Sequence, residues 1–123
     1  MRKFEVVLAV APVLLCSCAT IPREADTKSV AIGQPTTIGA LRATPLEVVE
    51  DSRCAVDVQC VWAGRIIVRT QFGGDGWEET SDLVLGASHL THGTSVALVE
   101  ATPEPRSDRR IEPQDYRFIY EAR

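Results

Sequence analysis

The chain lacks the features that mark nucleic-acid-binding, membrane-spanning or mainly helical proteins. Its 13 Lys and Arg are outnumbered by 17 Asp and Glu, and the formal net charge of −4 argues against nucleic acid as a partner. Aromatic residues make up 6% and hydrophobic residues 45%, which suffices for one small core. No apolar helical period extends over three turns, and no repeat of about 20–50 residues is present. These absences leave a single small domain without long helices.

Catalytic constellations are missing as well. Ser81 and Ser88 are the candidate serines of a hydrolase triad, but the glycines that form a nucleophile elbow are absent. Asp82 and His89 could supply the acid and the base of such a triad. His89 and His92 could also hold zinc or copper, although no third ligand is evident. We therefore expect no cofactor and no enzymatic activity. The alternative is a metal-handling or hydrolytic periplasmic protein that uses these two histidines.

Residues 1–17 have the composition of an export signal. Arg2 and Lys3 precede an apolar run at 6–15, which is shorter than the about 20 residues that span a bilayer. The run ends in Leu15-Cys16-Ser17-Cys18, which resembles the bacterial lipobox, with its aliphatic residue at −3 and small residue at −1. The resemblance implies cleavage before Cys18 and lipid attachment to that cysteine.

A lipidated Cys18 sets expectations for location and partners. Ala19 rather than an aspartate follows it, which favours a bacterial envelope protein anchored in the outer membrane and facing the periplasm. Residues 18–28 are polar, which predicts a tether, and residues 29–123 are predicted to form the folded β domain. The expected partners are the membrane, through the lipid anchor, and another envelope protein or a glycan; nucleic acid is not expected.

Short alternating stretches separated by glycine and proline predict about seven or eight strands. Two short strands are expected within 29–41, and the others at 44–50, 61–72, 77–80, 82–86, 94–101 and 115–122. Residues 87–93 read as a loop, and 102–115, with three prolines, as a solvated crossover. This spacing predicts an all-β fold, either a small antiparallel sandwich of immunoglobulin type or a barrel, preceded by a helical or disordered signal segment.

The segment 61–72 is the strongest strand in the chain. Alternation predicts that one face packs in the core and carries Trp62, Ile66, Val68 and Phe72. Arg65 and Arg69 lie on the opposite face, where they could bind an anionic ligand or belong to an ordinary solvated surface. Phe118, between Tyr116 and Tyr120, marks a second core-facing strand near the C-terminus.

Three acidic or hydroxyl residues and one tryptophan complete the set of candidate sites. Asp51, Ser52 and Asp57 carry oxygens of the kind that bind calcium, but they lack the spacing of a calcium loop. We interpret them as solvated loop acids or turn caps. Trp77 follows a glycine-rich turn and could stack on a carbohydrate or lie at a membrane interface, with core packing as the competing interpretation.

Cysteine content singles out one further stretch. Export removes Cys16 and lipid occupies Cys18, so Cys54 and Cys60 remain as a pair that an oxidising envelope can join. The expected disulfide should close a short loop, pack beside Trp62 at the core edge and fix the entry of the following strand. The surrounding Asp51-Ser52-Arg53-Cys54 and Cys60-Val61-Trp62-Ala63-Gly64 resemble a signature of small, uncharacterised bacterial lipoproteins, with Ala55 in place of a usual proline. The resemblance implies an exported, disulfide-containing β domain and no particular activity.

Overall fold

A computed structural model of the protein describes residues 28–123, which form seven strands and one short 3-10 helix. The predicted signal, Cys18 and all of the tether except Lys28 lie outside the described residues. Within the described part of the chain, no helix is long and apolar enough to cross a membrane. The strands are β1 (Thr36–Ile38), β2 (Leu41–Asp51), β3 (Ile66–Gly74), β4 (Trp77–Val84), β5 (Ser88–Thr91), β6 (Thr94–Thr102) and β7 (Arg117–Ala122), and the helix is Pro113–Asp115.

The strands form two antiparallel sheets that share one core. The first has the order β1-β2-β3-β4 and the second the order β5-β6-β7. The prediction of a small antiparallel sandwich is therefore confirmed, and the two sheets do not close into a barrel. Within each sheet the strands follow chain order, whereas an immunoglobulin sheet interleaves strands from distant parts of the chain.

β3, β6 and β7 supply most of the buried core residues, and alternation predicts the core-facing side chains of β3 and β7. Ile66, Val68 and Phe72 are fully buried on one face of β3, and Phe118 is fully buried on β7. A hydrogen bond of 2.8 Å between the Thr70 hydroxyl and the Tyr120 hydroxyl links the two sheets inside this core. The bond satisfies polar groups that would otherwise be costly to bury.

The prediction for Trp62 is wrong, because β3 begins only at Ile66 and Trp62 is 82% exposed. The physical reason lies at Gly64, whose φ of 67° takes the chain out of the strand conformation. A Cβ atom at this position would lie 1.8 Å from the carbonyl oxygen of Ser52. Only glycine permits this close approach. The alternating residues before Gly64 therefore do not belong to β3.

Three further predictions of strand positions differ from the structure. Residues 87–93 are not a loop, because Ser88–Thr91 forms β5, which pairs with β6 before a turn at His92-Gly93. The segments 77–80 and 82–86 merge into the single strand β4. β2 extends beyond the predicted 44–50 and contains Pro45, which is tolerated because β1 pairs with β2 only as far as Ala43. A register shift in the β2–β3 pairing follows that proline.

Candidate functional site

The most distinctive surface is the irregular segment 52–65, here called the disulfide loop. Its Cys54–Cys60 bond has an S–S length of 2.04 Å and a Cα–Cα distance of 5.9 Å, so the predicted pairing is present. The Ser52 backbone N–H donates to the Arg65 carbonyl at 2.8 Å and holds the two ends of the loop together. The Val56 backbone N–H donates to the Pro105 carbonyl at 2.9 Å and ties the loop to the segment after β6.

A nearly buried ion pair fixes the base of the loop. The Arg53 guanidinium donates to both Asp51 carboxylate oxygens, at 2.8 and 2.9 Å, and both side chains are only 13% exposed. The same guanidinium donates to the Ala101 carbonyl at 2.9 Å and the Pro103 carbonyl at 3.1 Å. The Tyr116 hydroxyl donates to Asp51 at 2.8 Å. This network joins the loop, the end of β6 and the approach to β7.

The protonation states of Asp51 and Tyr116 also favour this network. Burial raises the pKa of Asp51, but hydrogen bonds from Arg53 and Tyr116 outweigh burial, so the pKa lies below its ordinary value. Burial and the hydrogen bond to Asp51 raise the pKa of Tyr116 to about 12. At neutral pH the network therefore holds a carboxylate, a guanidinium and a neutral phenol. Its role is to position the loop.

The calcium hypothesis is not favoured, because the candidate oxygens already have partners. Those of Asp51 accept hydrogen bonds from Arg53 and Tyr116. Asp57 accepts from the Ser107 backbone N–H at 2.9 Å and from the Ser107 hydroxyl. The hydrogen bonds from Ser107 hold the pKa of Asp57 below its ordinary value. Asp51 ends β2 and is 13% exposed, so it is not the solvated loop acid that the sequence suggested. Asp57 is exposed and fastens the loop to Ser107.

Apolar side chains cover the outer part of the disulfide loop. Val61 is 93% and Trp62 82% exposed, and Val56 and Val58 are also among the exposed large hydrophobic residues. Cys60 is exposed too, so the prediction that the disulfide packs beside Trp62 at the edge of the core is wrong. A loop closed by a disulfide and fastened by a partly buried ion pair thus exposes large apolar side chains to water.

A groove of about 430 Å³ runs beside the loop. One wall is formed by the loop residues Val56 and Ala63, and the other by β6 and the chain after it. Glu100 and Glu104 also line it, and among residues 28–123 neither carboxylate forms an ion pair. The groove is therefore lined by apolar side chains together with two carboxylates that form no ion pair among the described residues.

The two histidines meet at a different place, between β4 and β5. Nε2 of His89 lies 3.5 Å and Nδ1 of His92 lies 3.7 Å from the Glu79 carboxylate. The Thr91 hydroxyl donates to that carboxylate and holds the pKa of Glu79 below its ordinary value. Within residues 28–123, no three His, Cys, Asp or Glu side chains are placed to hold a metal ion.

The hydrolase triad is not assembled either. Nε2 of His89 is buried and has no hydrogen-bond partner among the described residues, so neither Ser81 nor Ser88 donates to it. Asp82 instead accepts from Arg69 at 3.0 Å. Since alternate residues of a strand face opposite sides, Asp82 is directed away from the side on which Glu79 meets the histidines.

The remaining sequence candidates are engaged within the sheets. Arg65 pairs with Glu50 at 2.6 Å. Arg69 pairs with Glu47 at 2.5 Å as well as with Asp82, so both arginines already have carboxylate partners on a solvated sheet face. The Trp77 indole packs against the core, and His92 stacks on it with a ring-centroid distance of 3.5 Å. Core packing is therefore the better interpretation of Trp77.

The sequence predictions missed the groove acids Glu100 and Glu104 and the exposure of Val61 and Trp62. A usable signal was the glycine two residues after Trp62, because a left-handed residue interrupts strand alternation. Comparison of the chain with protein-family models, curated proteins and solved structures found no match.

Proposed function

We propose that the chain is a lipid-anchored protein of the bacterial envelope whose β-sandwich binds another envelope component through the disulfide loop and catalyses no reaction. The anchor is the expectation drawn from the export signal and Cys18. The observation that carries the binding role is the exposure of Val61 and Trp62, at 93% and 82%, on a loop closed by a disulfide. Large apolar side chains in water favour association because binding removes their surface from solvent.

The conformation of the loop is restricted before any partner binds. The Cys54–Cys60 bond limits its conformations, and Arg53 fastens its base to β2 and to the chain after β6. A preorganised loop loses less conformational entropy on association than a free one. Tryptophan is also among the residues that contribute most binding energy at protein interfaces. These features support a binding surface centred on Trp62.

The position of the tether supports a partner located away from the anchoring membrane. Lys28, the first described residue, lines a shallow depression with Thr36 and Glu121. β2 runs from beside β1 to Asp51 at the disulfide loop, so this depression and the loop lie toward opposite ends of the sandwich. A lipid anchor attached upstream of Lys28 would leave Trp62 free to reach a component in the aqueous compartment.

Site-specific crosslinking in living cells tests this proposal. A photoreactive amino acid replaces Val61 in the full-length protein, and a matched variant carries it at exposed Glu121, toward the opposite end of the sandwich. We expect a discrete adduct from position 61 that disappears when Trp62→Ser is added, and no such adduct from position 121. Identical adducts from both positions, or an adduct unaffected by Trp62→Ser, would show that the loop is not the binding surface.

A further inference from the structure

The groove beside the disulfide loop has an unbalanced charge. Arg53 is the only basic residue among those that line it, and its guanidinium is already paired with Asp51. Glu100 and Glu104 form no ion pair among residues 28–123, so they leave the groove with an excess of negative charge. An occupant with positive charge is favoured by this arrangement.

The walls of the groove indicate which groups the occupant should carry besides a positive charge. Apolar surface comes from Val56 and Ala63 of the loop, from Leu85 just after β4, and from Val99 and Ala101 of β6. The volume of about 430 Å³ lies within the range of about 300–1,000 Å³ that is typical of ligand sites. Aliphatic walls favour aliphatic side chains.

We propose that this groove binds an extended segment of a partner protein in which a lysine or arginine is flanked by apolar residues. The inference rests on the proposed binding function and assigns its partner class. The basic side chain would meet Glu100 and Glu104, while the flanking apolar residues pack on the groove walls. Val61 and Trp62, which follow the loop's second cysteine and precede the groove residue Ala63, would extend the contact outside the groove.

Selection from a random peptide library, with the full-length protein in detergent micelles as bait, tests the partner class. We expect the selected peptides to be enriched in lysine and arginine next to aliphatic residues. The same selection with Glu100→Gln and Glu104→Gln combined should lose the basic enrichment. A control with Asp75→Asn and Glu121→Gln removes the same charge from exposed residues outside the groove and should keep the enrichment.

The affinity of the most enriched peptide supplies a second readout. Because water weakens ion pairs at exposed glutamates, Glu100→Gln with Glu104→Gln should weaken binding by roughly tenfold, and the Asp75–Glu121 control should leave it unchanged. Peptides without basic enrichment, or the same enrichment after the glutamate changes, would overturn the inference. Binding of envelope glycan with no peptide selected would also overturn it, yet would leave the proposed binding role of Trp62 standing.

Discussion

Replacing Arg53 by methionine should destabilise the protein more than replacing any exposed arginine. Arg53 and Asp51 are each 13% exposed, and the guanidinium makes four hydrogen bonds to Asp51, Ala101 and Pro103. In Arg53→Met the Asp51 carboxylate keeps the Tyr116 hydroxyl but loses its charged partner. Two backbone carbonyls lose their donors as well.

The expected cost follows from the burial of the pair. Removing one partner of a fully buried ion pair costs about 3–5 kcal/mol, because the other charge remains out of water without compensation. Asp51 and Arg53 keep 13% exposure, so water should offset part of this cost. Arg65→Met is the matched control, since Arg65 and Glu50 form a pair at 2.6 Å whose side chains are 59% and 41% exposed. Breaking such an exposed pair should cost less than about 1 kcal/mol. Adding Asp51→Asn to Arg53→Met should recover part of the loss because it removes the uncompensated charge.

Urea unfolding of the full-length protein, followed by circular dichroism, measures these free energies. The pH dependence gives an independent check. In the wild type the folded-state pKa of Asp51 is depressed. The ionised carboxylate therefore stabilises the folded protein fully above the unfolded pKa of about 3.9, and this stabilisation is lost as the pH falls through the folded-state pKa. The difference between wild type and Arg53→Met should therefore shrink below about pH 4. Equal destabilisation by Arg53→Met and Arg65→Met would refute the reasoning.

Three further predictions concern the disulfide, the core and the anchor. Cys54→Ala with Cys60→Ala should lower the free energy of unfolding by about 2 kcal/mol, and mass spectrometry of the wild type should show the crosslink without free thiol. Burial raises the pKa of Tyr120 to about 12, so its contribution to stability should be full below about pH 10 and be lost toward pH 12; Tyr120→Phe should reduce the loss of stability in this range and leave the part due to Tyr116, whose pKa is raised to the same value. A palmitate analogue should label the wild type and not Cys18→Ser; labelling of both would contradict lipidation at this residue.

Sequence patterns predicted the sheets where side chains alternate between core and solvent. Ile66, Val68 and Phe72 follow that rule, because consecutive residues of a strand face opposite sides. β5 could not be recognised in this way, because its Ser-His-Leu-Thr sequence has little apolar character and its conformation depends on pairing with β6. Local propensity is a weak guide to such a strand, since its stability comes from the neighbouring strand.

Sequence patterns predicted only part of the candidate site. The pairing of Cys54 with Cys60 followed from their number and the expected compartment, but the exposure of Trp62 depends on how Gly64 turns the chain. The groove depends on contacts between distant residues. Arg53 reaches the Ala101 carbonyl, 48 positions later in the chain. No local pattern encodes such a contact, so Glu100 could not be assigned to a site before the fold was known.

Hydroxyl-radical footprinting of Trp62 measures whether this side chain is covered in the intact envelope, as a binding role for the disulfide loop requires. The wild-type protein is oxidised both in intact envelopes and after purification, and Trp77, which is partly buried, serves as the internal reference. We predict that oxidation of Trp62 relative to Trp77 falls several-fold in the envelope and is restored on purification. Equal oxidation of Trp62 in both settings would contradict a binding role for the disulfide loop.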